Sequence, residues 1–157
     1  MIEGHKNLKN STMEKLQFKI TIDASREKVW DVLWGEETYP QWTKPFSPGS
    51  KAETDWQEGS KILFLDASDR GMVLTVKENR PNEYMGIEHL GYYNKGVEDF
   101  DSEEVKSWAG STENYTLLTI DGKTELTVDS DINADHKEMF EKIWPKALEK
   151  VKELAEN

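Results

Sequence analysis

Residues 135–155 read DHKEMFEKIWPKALEKVKELA and carry the strongest structural signal in the chain. Apolar side chains recur at steps of one and three along this segment, which predicts an α-helix with one wide apolar face. Lys and Glu occupy the opposite face. A helix of this length spans about 30 Å, the width of a small domain. Because its apolar face carries large aromatic side chains, a broad surface must cover it, and the strands predicted upstream favour a curved sheet in that role.

Pro145 interrupts this helix on its polar face, in line with Glu141 and Glu149. Proline has no amide proton to donate to the carbonyl of Glu141, so we expect a bend with its concave side towards the sheet. A break into two helices at Trp144 is the alternative, although Trp is a poor N-cap. The apolar side chains before the bend are bulkier than those after it. We therefore expect one half of the helix to pack as core and the other to border a cavity, with the assignment of the halves left open.

The composition favours one acidic domain in a reducing compartment. The 157 residues include 20 basic and 31 acidic side chains, a net charge of −11, which disfavours binding to nucleic acid or to anionic membranes. The lack of cysteine excludes disulfides, thiol chemistry and thiolate metal sites. No apolar run is long enough to span a membrane and no signal-peptide core is recognisable, so we expect no membrane insertion and a cytoplasmic location. The sequence does not indicate an oligomeric state.

The first part of the chain predicts an extension, a strand and a helix. Residues 1–14 are polar and aperiodic, which is typical of a flexible N-terminal extension, so the predicted single domain covers 15–157. Strict alternation of apolar and polar residues over 16–22 predicts the first strand. Ser25 is expected to cap the following helix, and Gly35 is expected to end it in a left-handed conformation. Closely spaced prolines then allow only a short second helix or an irregular connection.

Residues 50–131 predict a run of antiparallel strands separated by turn-forming residues, with the Asp121-Gly122 pair as the clearest hairpin turn. One segment, 91–111, is too long for a hairpin loop and combines aromatic with acidic residues. Ser102 is expected to cap a short helix inside it. This segment is either a surface excursion or a cover over the mouth of a pocket.

Three short segments, together with the C-terminal helix that contains Trp144, resemble a known family. The segments are 22–33 (IDASREKVWDVL), 39–42 (YPQW) and 56–60 (WQEGS). Through them the chain resembles bacterial proteins related to the Hsp90 ATPase activator domain, within the START/Bet v 1-like (SRPBCC) superfamily. The resemblance implies an α+β helix-grip fold, in which a curved antiparallel sheet of about seven strands wraps around the long C-terminal helix. It also implies two short helices after the first strand and a cavity between sheet and helix.

An acidic segment before the last helix, 129–135 (DSDINAD), has the acid spacing of a calcium-binding EF-hand loop. Ala134 stands at the position that requires glycine, and Phe140 stands where the bidentate acid belongs. We therefore expect a strand with acids on its solvent face, followed by a helix that Asn133 or Asp135 caps. No metal ion is predicted here.

His89 is the histidine of interest, since it shares a predicted strand face with Met85 and Ile87. It is either a histidine at the edge of the core, bonded to a backbone or tyrosine partner, or a polar group that fixes a ligand's orientation inside an apolar cavity. The other two histidines, His5 and His136, are distant in sequence, and three scattered histidines without cysteine do not make a zinc site. No cofactor is predicted.

Motifs for nucleophilic catalysis and for phosphate binding are missing from the sequence, so no catalytic residue is predicted. Asp66 and Glu88 lie near predicted strand ends, where inward-facing acids would serve an acid–base enzyme, but the sequence does not show which way they point. The question of enzyme activity is left open, and a binding protein is favoured.

The number of aromatic residues is the strongest functional indication, because it favours either a well-filled core or an apolar cavity with aromatic walls. With the cavity that the resemblance implies, the leading hypothesis is binding of a small hydrophobic molecule, lipid-like or aromatic. A cyclase or hydrolase that uses the same cavity and a chaperone-associated interaction module are the alternatives. The predicted lining residues are Trp42, Phe64, Met72, His89, Tyr115, Phe140 and Trp144.

Overall fold

The computed structural model describes residues 13–157. One antiparallel sheet forms a curved surface, and a long C-terminal helix lies against its inner face. This arrangement confirms the predicted α+β helix-grip fold. The sheet has eight strands where about seven were predicted.

The described residues form eight strands and four helices. The strands are β1 Met13–Ile22, β2 Lys51–Glu53, β3 Lys61–Leu65, β4 Arg70–Arg80, β5 Tyr84–Asn94, β6 Val97–Asp99, β7 Thr112–Ile120 and β8 Lys123–Asn133. The helices are α1 Arg26–Trp34, α2 Tyr39–Trp42, α3 Glu103–Trp108 and α4 Lys137–Glu156, and a 3-10 turn, Ala134–His136, precedes α4. The strand order across the sheet is β1-β8-β7-β5-β4-β3-β2, and β6 pairs with β5.

The second half of α4 packs against the sheet as core. Ala147 and Val151 are fully buried, and Leu148 is 2% exposed. The helix continues through Pro145 without interruption, so the alternative of two helices that meet at Trp144 is wrong. The half after the proline is therefore the core half, which settles a point that the sequence left open.

The first strand begins earlier than predicted. Met13 pairs with Asn133, and Glu14 pairs with Ile132 on β8. Lys137 also holds Glu14 through an ion pair of 3.2 Å. The ladder therefore includes two residues that were assigned to the N-terminal extension because of their polar neighbours, and the rest of that extension, residues 1–12, lies outside the described part of the chain.

Gly35 ends α1 as predicted, but not in a left-handed conformation, since its φ is −71°. The predicted geometry is wrong because glycine serves a close approach here. A Cβ on Gly35 would lie 2.6 Å from the carbonyl oxygen of Asp31 and 2.7 Å from the hydroxyl oxygen of Thr38. That hydroxyl donates to the carbonyl of Val32 at 2.6 Å and closes the helix end. The predicted cap at Ser25 is confirmed, with the amide of Lys28 donating to its hydroxyl.

Residues 91–111 are more ordered than a loop. Strand β5 continues to Asn94, turns through Lys95 and Gly96 at positive φ, and returns as β6. The first part of the segment is thus a hairpin, which the sequence analysis did not predict, because tyrosines favour a pleated, half-buried surface and extend the strand. Ser102 then caps α3 by accepting from the amide of Val105 at 3.3 Å, as predicted.

The acidic segment before α4 has the predicted structural role. The side chain of Asn133 accepts from the amide of Asp135 at 2.8 Å and begins the 3-10 turn. Asp131 accepts from Lys15 at 2.7 Å and from the amide of Thr112 at 2.8 Å. Burial raises the pKa of Asp131, but the bonds from Lys15 and Thr112 outweigh it and the pKa lies below its ordinary value. Asp131 therefore ties β1 to β7 across β8.

Candidate ligand-binding cavity

A cavity of about 560 Å³ lies between the sheet and the first half of α4. This volume falls in the range of roughly 300–1,000 Å³ that is common for small-molecule sites. Its walls come from α2, α3, α4 and several strands of the sheet. The half of α4 before Pro145 therefore borders the cavity, whereas the half after it packs in the core.

All seven residues that were predicted to line a pocket border this cavity, and their role in binding a ligand stays a prediction. Trp42 reaches it from α2, His89 from β5 and Tyr115 from β7. The remaining four come from β3, β4 and α4: Phe64, Met72, Phe140 and Trp144.

The aromatic wall is held in place by contacts within the protein. Trp42 is 1% exposed, and its indole N–H donates to the carbonyl of Leu33 at 3.0 Å. The ring centroid of Trp144 lies 6.3 Å from Trp42, 6.2 Å from Tyr115 and 4.9 Å from Phe46. Aromatic rings at these separations attract one another, so the wall is rigid before any ligand arrives.

Tyr39, Trp108 and Glu113 also border the cavity, although the sequence analysis did not select them. Glu113 is the most informative of the three. It lies two residues before Tyr115 on β7, and alternate residues of a strand point to the same face. Once Tyr115 and the buried Leu117 are assigned inward, the alternation places Glu113 inward as well. That signal was present in the sequence.

The polar end of the cavity is formed by His89 and Glu113, whose side chains are 16% and 15% exposed. The Nδ1 atom of His89 lies 3.2 Å from the carbonyl oxygen of Ser111. Its Nε2 atom lies 3.9 Å from Oε1 of Glu113, which is longer than a hydrogen bond. The hydroxyl of Tyr115 donates to Oε2 of Glu113. His89 therefore unites both interpretations of the sequence, since it bonds to a backbone carbonyl and also faces the cavity.

Two tyrosines beside Glu113 stay protonated at neutral pH. Burial, and then the charge of Glu113, raise the pKa of Tyr39 well above 10.0, its ordinary value. The same two causes, in the same order, raise the pKa of Tyr115. Both phenols therefore remain hydrogen-bond donors, and the carboxylate of Glu113 is the acceptor that the Tyr115 phenol uses.

Helix α3 forms one wall of the cavity through Trp108. The hydroxyl of Tyr92 donates to Glu104 on α3 at 2.9 Å, and the ring of Trp108 lies edge-on to Tyr92 at 5.0 Å. Burial, and then the bond to Glu104, raise the pKa of Tyr92. The position fits the interpretation of this segment as a cover over a pocket, and opening of the cover stays a prediction.

The part of the chain that the structure describes offers neither a cluster of metal ligands nor a membrane-spanning helix. Residues 13–157 contain no group of three or more His, Asp or Glu side chains placed to hold a metal ion. No helix among them is long and apolar enough to cross a membrane. Of the two acids considered for catalysis, Asp66 borders the cavity. Glu88 lies on the other face of β5 and pairs with Lys77 at 3.2 Å.

The sequence profile of the family described as activator of Hsp90 ATPase homolog 1-like protein matches residues 23–156. The chain belongs to this family. The resemblance found in the sequence is therefore confirmed, and the match spans α1 to the end of α4. Among curated proteins, none matches the chain significantly.

Solved structures of related fold agree with this assignment. The Aha1 dimer from Colwellia psychrerythraea superposes with a TM-score of 0.70 at 20% identity, over 91% of this chain and 96% of that one. The ChR145 protein from Cytophaga hutchinsonii gives 0.68 at 20% identity, over 92% and 94%. DynU16, a protein of the dynemicin biosynthetic locus, gives 0.66 at 13% identity, over 88% of this chain and 46% of that one. At these identities the likeness shows the fold alone.

Proposed function

We propose that this protein binds a small apolar molecule, lipid-like or aromatic, in the cavity between the sheet and the first half of α4. The observation that supports it is the 560 Å³ cavity with a preorganised aromatic wall. A concave site of this size, with aromatic walls and a few polar groups, is typical of sites that bind small molecules.

The driving force for binding is burial of apolar ligand surface, at about 25 cal/mol per Å². Part of this gain is offset by the loss of translational and rotational freedom on association. Because Trp42 and Trp144 are already fixed by their neighbours, little further ordering of the wall is needed. The polar end then selects the orientation of the ligand.

Isothermal titration calorimetry with apolar compounds of several classes tests the proposal. We expect at least one class to bind with a one-to-one stoichiometry. The variant Met72→Trp places a larger side chain in the cavity wall and should weaken binding at least tenfold. The matched control Met139→Trp changes an exposed residue, 46% accessible on α4, and should leave affinity unchanged. Failure of every class to bind the wild-type protein would overturn the proposal.

An enzyme that uses the same cavity is the second candidate. The observation in its favour is the pair of ionisable side chains, His89 and Glu113, on the cavity wall, because acid–base catalysis needs such groups within reach of a bound substrate. Chemical analysis of each bound compound after prolonged incubation tests this candidate. Recovery of every compound unchanged argues against it.

Contact with a chaperone is a further prediction, and it comes from the family description, which names activation of the Hsp90 ATPase. The cytoplasmic location predicted from the sequence is a separate expectation. It is tested by the ATPase rate of a bacterial Hsp90 with and without this protein. An unchanged rate at saturating protein concentration argues against it.

A further inference from the structure

The polar end of the cavity presents two hydrogen-bond acceptors to one another. Nε2 of His89 and Oε1 of Glu113 lie 3.9 Å apart, too far to bond directly. Both side chains are about five-sixths buried, at 16% and 15% exposure, and both border the cavity. A ligand in the cavity that donates a hydrogen bond can therefore use these acceptors.

The tautomer of His89 follows from its backbone contact. Nδ1 lies 3.2 Å from the carbonyl oxygen of Ser111, and a carbonyl oxygen only accepts. Nδ1 therefore carries a proton. In the neutral ring the other nitrogen, Nε2, has a free lone pair and accepts.

Glu113 has one oxygen occupied and one available. Oε2 accepts from the hydroxyl of Tyr115. Among the residues that the structure describes, no hydrogen bond reaches Oε1. The Tyr115 bond fixes the carboxylate, since Tyr115 is 1% exposed and packed against Trp34 and Trp144. Oε1 is thus held at the cavity wall.

We propose that the cavity takes apolar molecules whose polar group donates a hydrogen bond, namely an alcohol, a phenol or an amine, and that it discriminates against carboxylates. This inference rests on the proposed function and narrows its ligand class. An atom in the cavity, to the side of the line that joins Oε1 and Nε2, can lie within hydrogen-bond distance of both, at about 2.8–2.9 Å from each. An ammonium group donates one proton to each acceptor. A hydroxyl donates its one proton to either acceptor.

A ligand with a carboxylate group should bind less well than one with a donor group. Its negative charge would face the carboxylate of Glu113, and like charges at close range repel. Two cations, Lys51 and Arg70, also border the cavity, but both are exposed. Ion pairs at exposed positions contribute little because water and salt screen them. Fatty acids are therefore disfavoured, although they would satisfy the apolar wall alone.

Four compounds with one ring system test the inference by calorimetry: 2-methylnaphthalene, 2-naphthol, 2-naphthylmethylamine and 2-naphthoate. We expect 2-naphthol or the amine to bind about tenfold more tightly than 2-methylnaphthalene, and 2-naphthoate to bind no more tightly than the hydrocarbon. The comparison of the two donors separates a hydroxyl from an ammonium as the preferred group. Equal or tighter binding of 2-naphthoate would overturn the inference without any variant.

The variant Glu113→Gln supplies the second measurement. It removes the charge and keeps the side-chain shape, so the preference for a donor should fall to threefold or less while the hydrocarbon binds as before. Glu88→Gln is the matched control, because Glu88 pairs with Lys77 on the other face of β5 and should keep the full preference. An unchanged preference in Glu113→Gln contradicts the inference alone. Failure of all four compounds, the hydrocarbon included, contradicts the proposed function and this inference with it.

Discussion

Before Pro145, α4 presents Phe140 and Trp144 to the cavity, and after it the same apolar face presents Ala147 and Leu148 to the sheet. Both halves follow one helical pattern, so periodicity alone does not distinguish the half that borders the cavity from the half that packs in the core. Side-chain size distinguishes them. Small residues after the proline let the helix approach the sheet closely and fill the space, whereas large rings before it are held against other rings and leave a cavity beside them.

Truncation in the core half should have the largest effect on stability. Leu148→Ala removes a side chain that is 2% exposed, and we expect a loss of about 2–5 kcal/mol in the free energy of unfolding, because the transfer energy is lost and a void remains. Urea denaturation measures it. Met139→Ala, at a residue that is 46% exposed on the same helix, is the control and should cost less than about 0.5 kcal/mol. Equal losses for the two variants would contradict the assignment of the core half.

Alkaline pH should lower the stability of the folded protein, because two phenols at the cavity are buried. The pKa values of Tyr39 and Tyr115 lie well above 10.0 in the folded protein. The folded state therefore keeps protons that the unfolded state releases above about pH 10, and stability falls as pH rises, by up to about 1.4 kcal/mol per pH unit for each tyrosine. Below pH 10 this contribution is constant.

Tyr115→Phe is the variant for this titration. Urea denaturation between pH 8 and pH 11 should show a slope lower by up to about 1.4 kcal/mol per pH unit than that of the wild-type protein, since one of the two buried phenols is gone. Measurement at pH 8 shows that the variant folds. An identical slope would mean that Tyr115 titrates normally.

Truncation in the cavity half should affect binding more than stability. Phe140 is half-buried and faces Phe46 at 6.4 Å, so Phe140→Ala leaves less of a void than a change in the core. We expect a stability loss of about 1 kcal/mol, typical of point mutations in general and smaller than for truncations in a core, and a roughly tenfold weaker affinity for an apolar ligand, equivalent to about 1.4 kcal/mol. Denaturation and calorimetry on the same preparation separate the two effects. A large loss of stability with unchanged affinity would reverse the assignment of the halves.

The sequence was sufficient for the fold, because apolar patterns predict the helices and strands and the family resemblance implies their arrangement. The stripe of α4 and the alternation in the strands select the inward residues, and Trp144 is one of them. The sequence was less informative for the polar end of the cavity. An inward-facing acid such as Glu113 cannot be told from a solvent-facing acid until the neighbouring residues of its strand are assigned to a face. The extended hairpin of β5 and β6 was missed because its residues, 92–99 (YYNKGVED), show no alternation of apolar and polar side chains.

The sequence also did not predict which side chains on different strands contact each other. The contact of His89 with Ser111, and the approach of Nε2 to Glu113, depend on the register between β5 and β7, in which Ile87 pairs with Glu113. Register is fixed by the whole set of pairings in the sheet, and a shift by one residue would turn Glu113 to the other face. The sequence shows which residues alternate, and only the assembled sheet shows which of them meet.

The smallest expected effect belongs to Pro145, which lies at the junction of the two halves. Pro145→Ala restores the missing amide donor to the carbonyl of Glu141, and we expect a gain in stability of about 1 kcal/mol, less than the full cost of proline in a helix because the native helix already accommodates the ring. Pro145 is exposed, so the change creates no void. If proline shapes the cavity by bending α4, calorimetry should show an affinity for apolar ligands that is two- to threefold weaker in the more stable variant. Unchanged affinity would mean that side-chain size alone separates the cavity half from the core half.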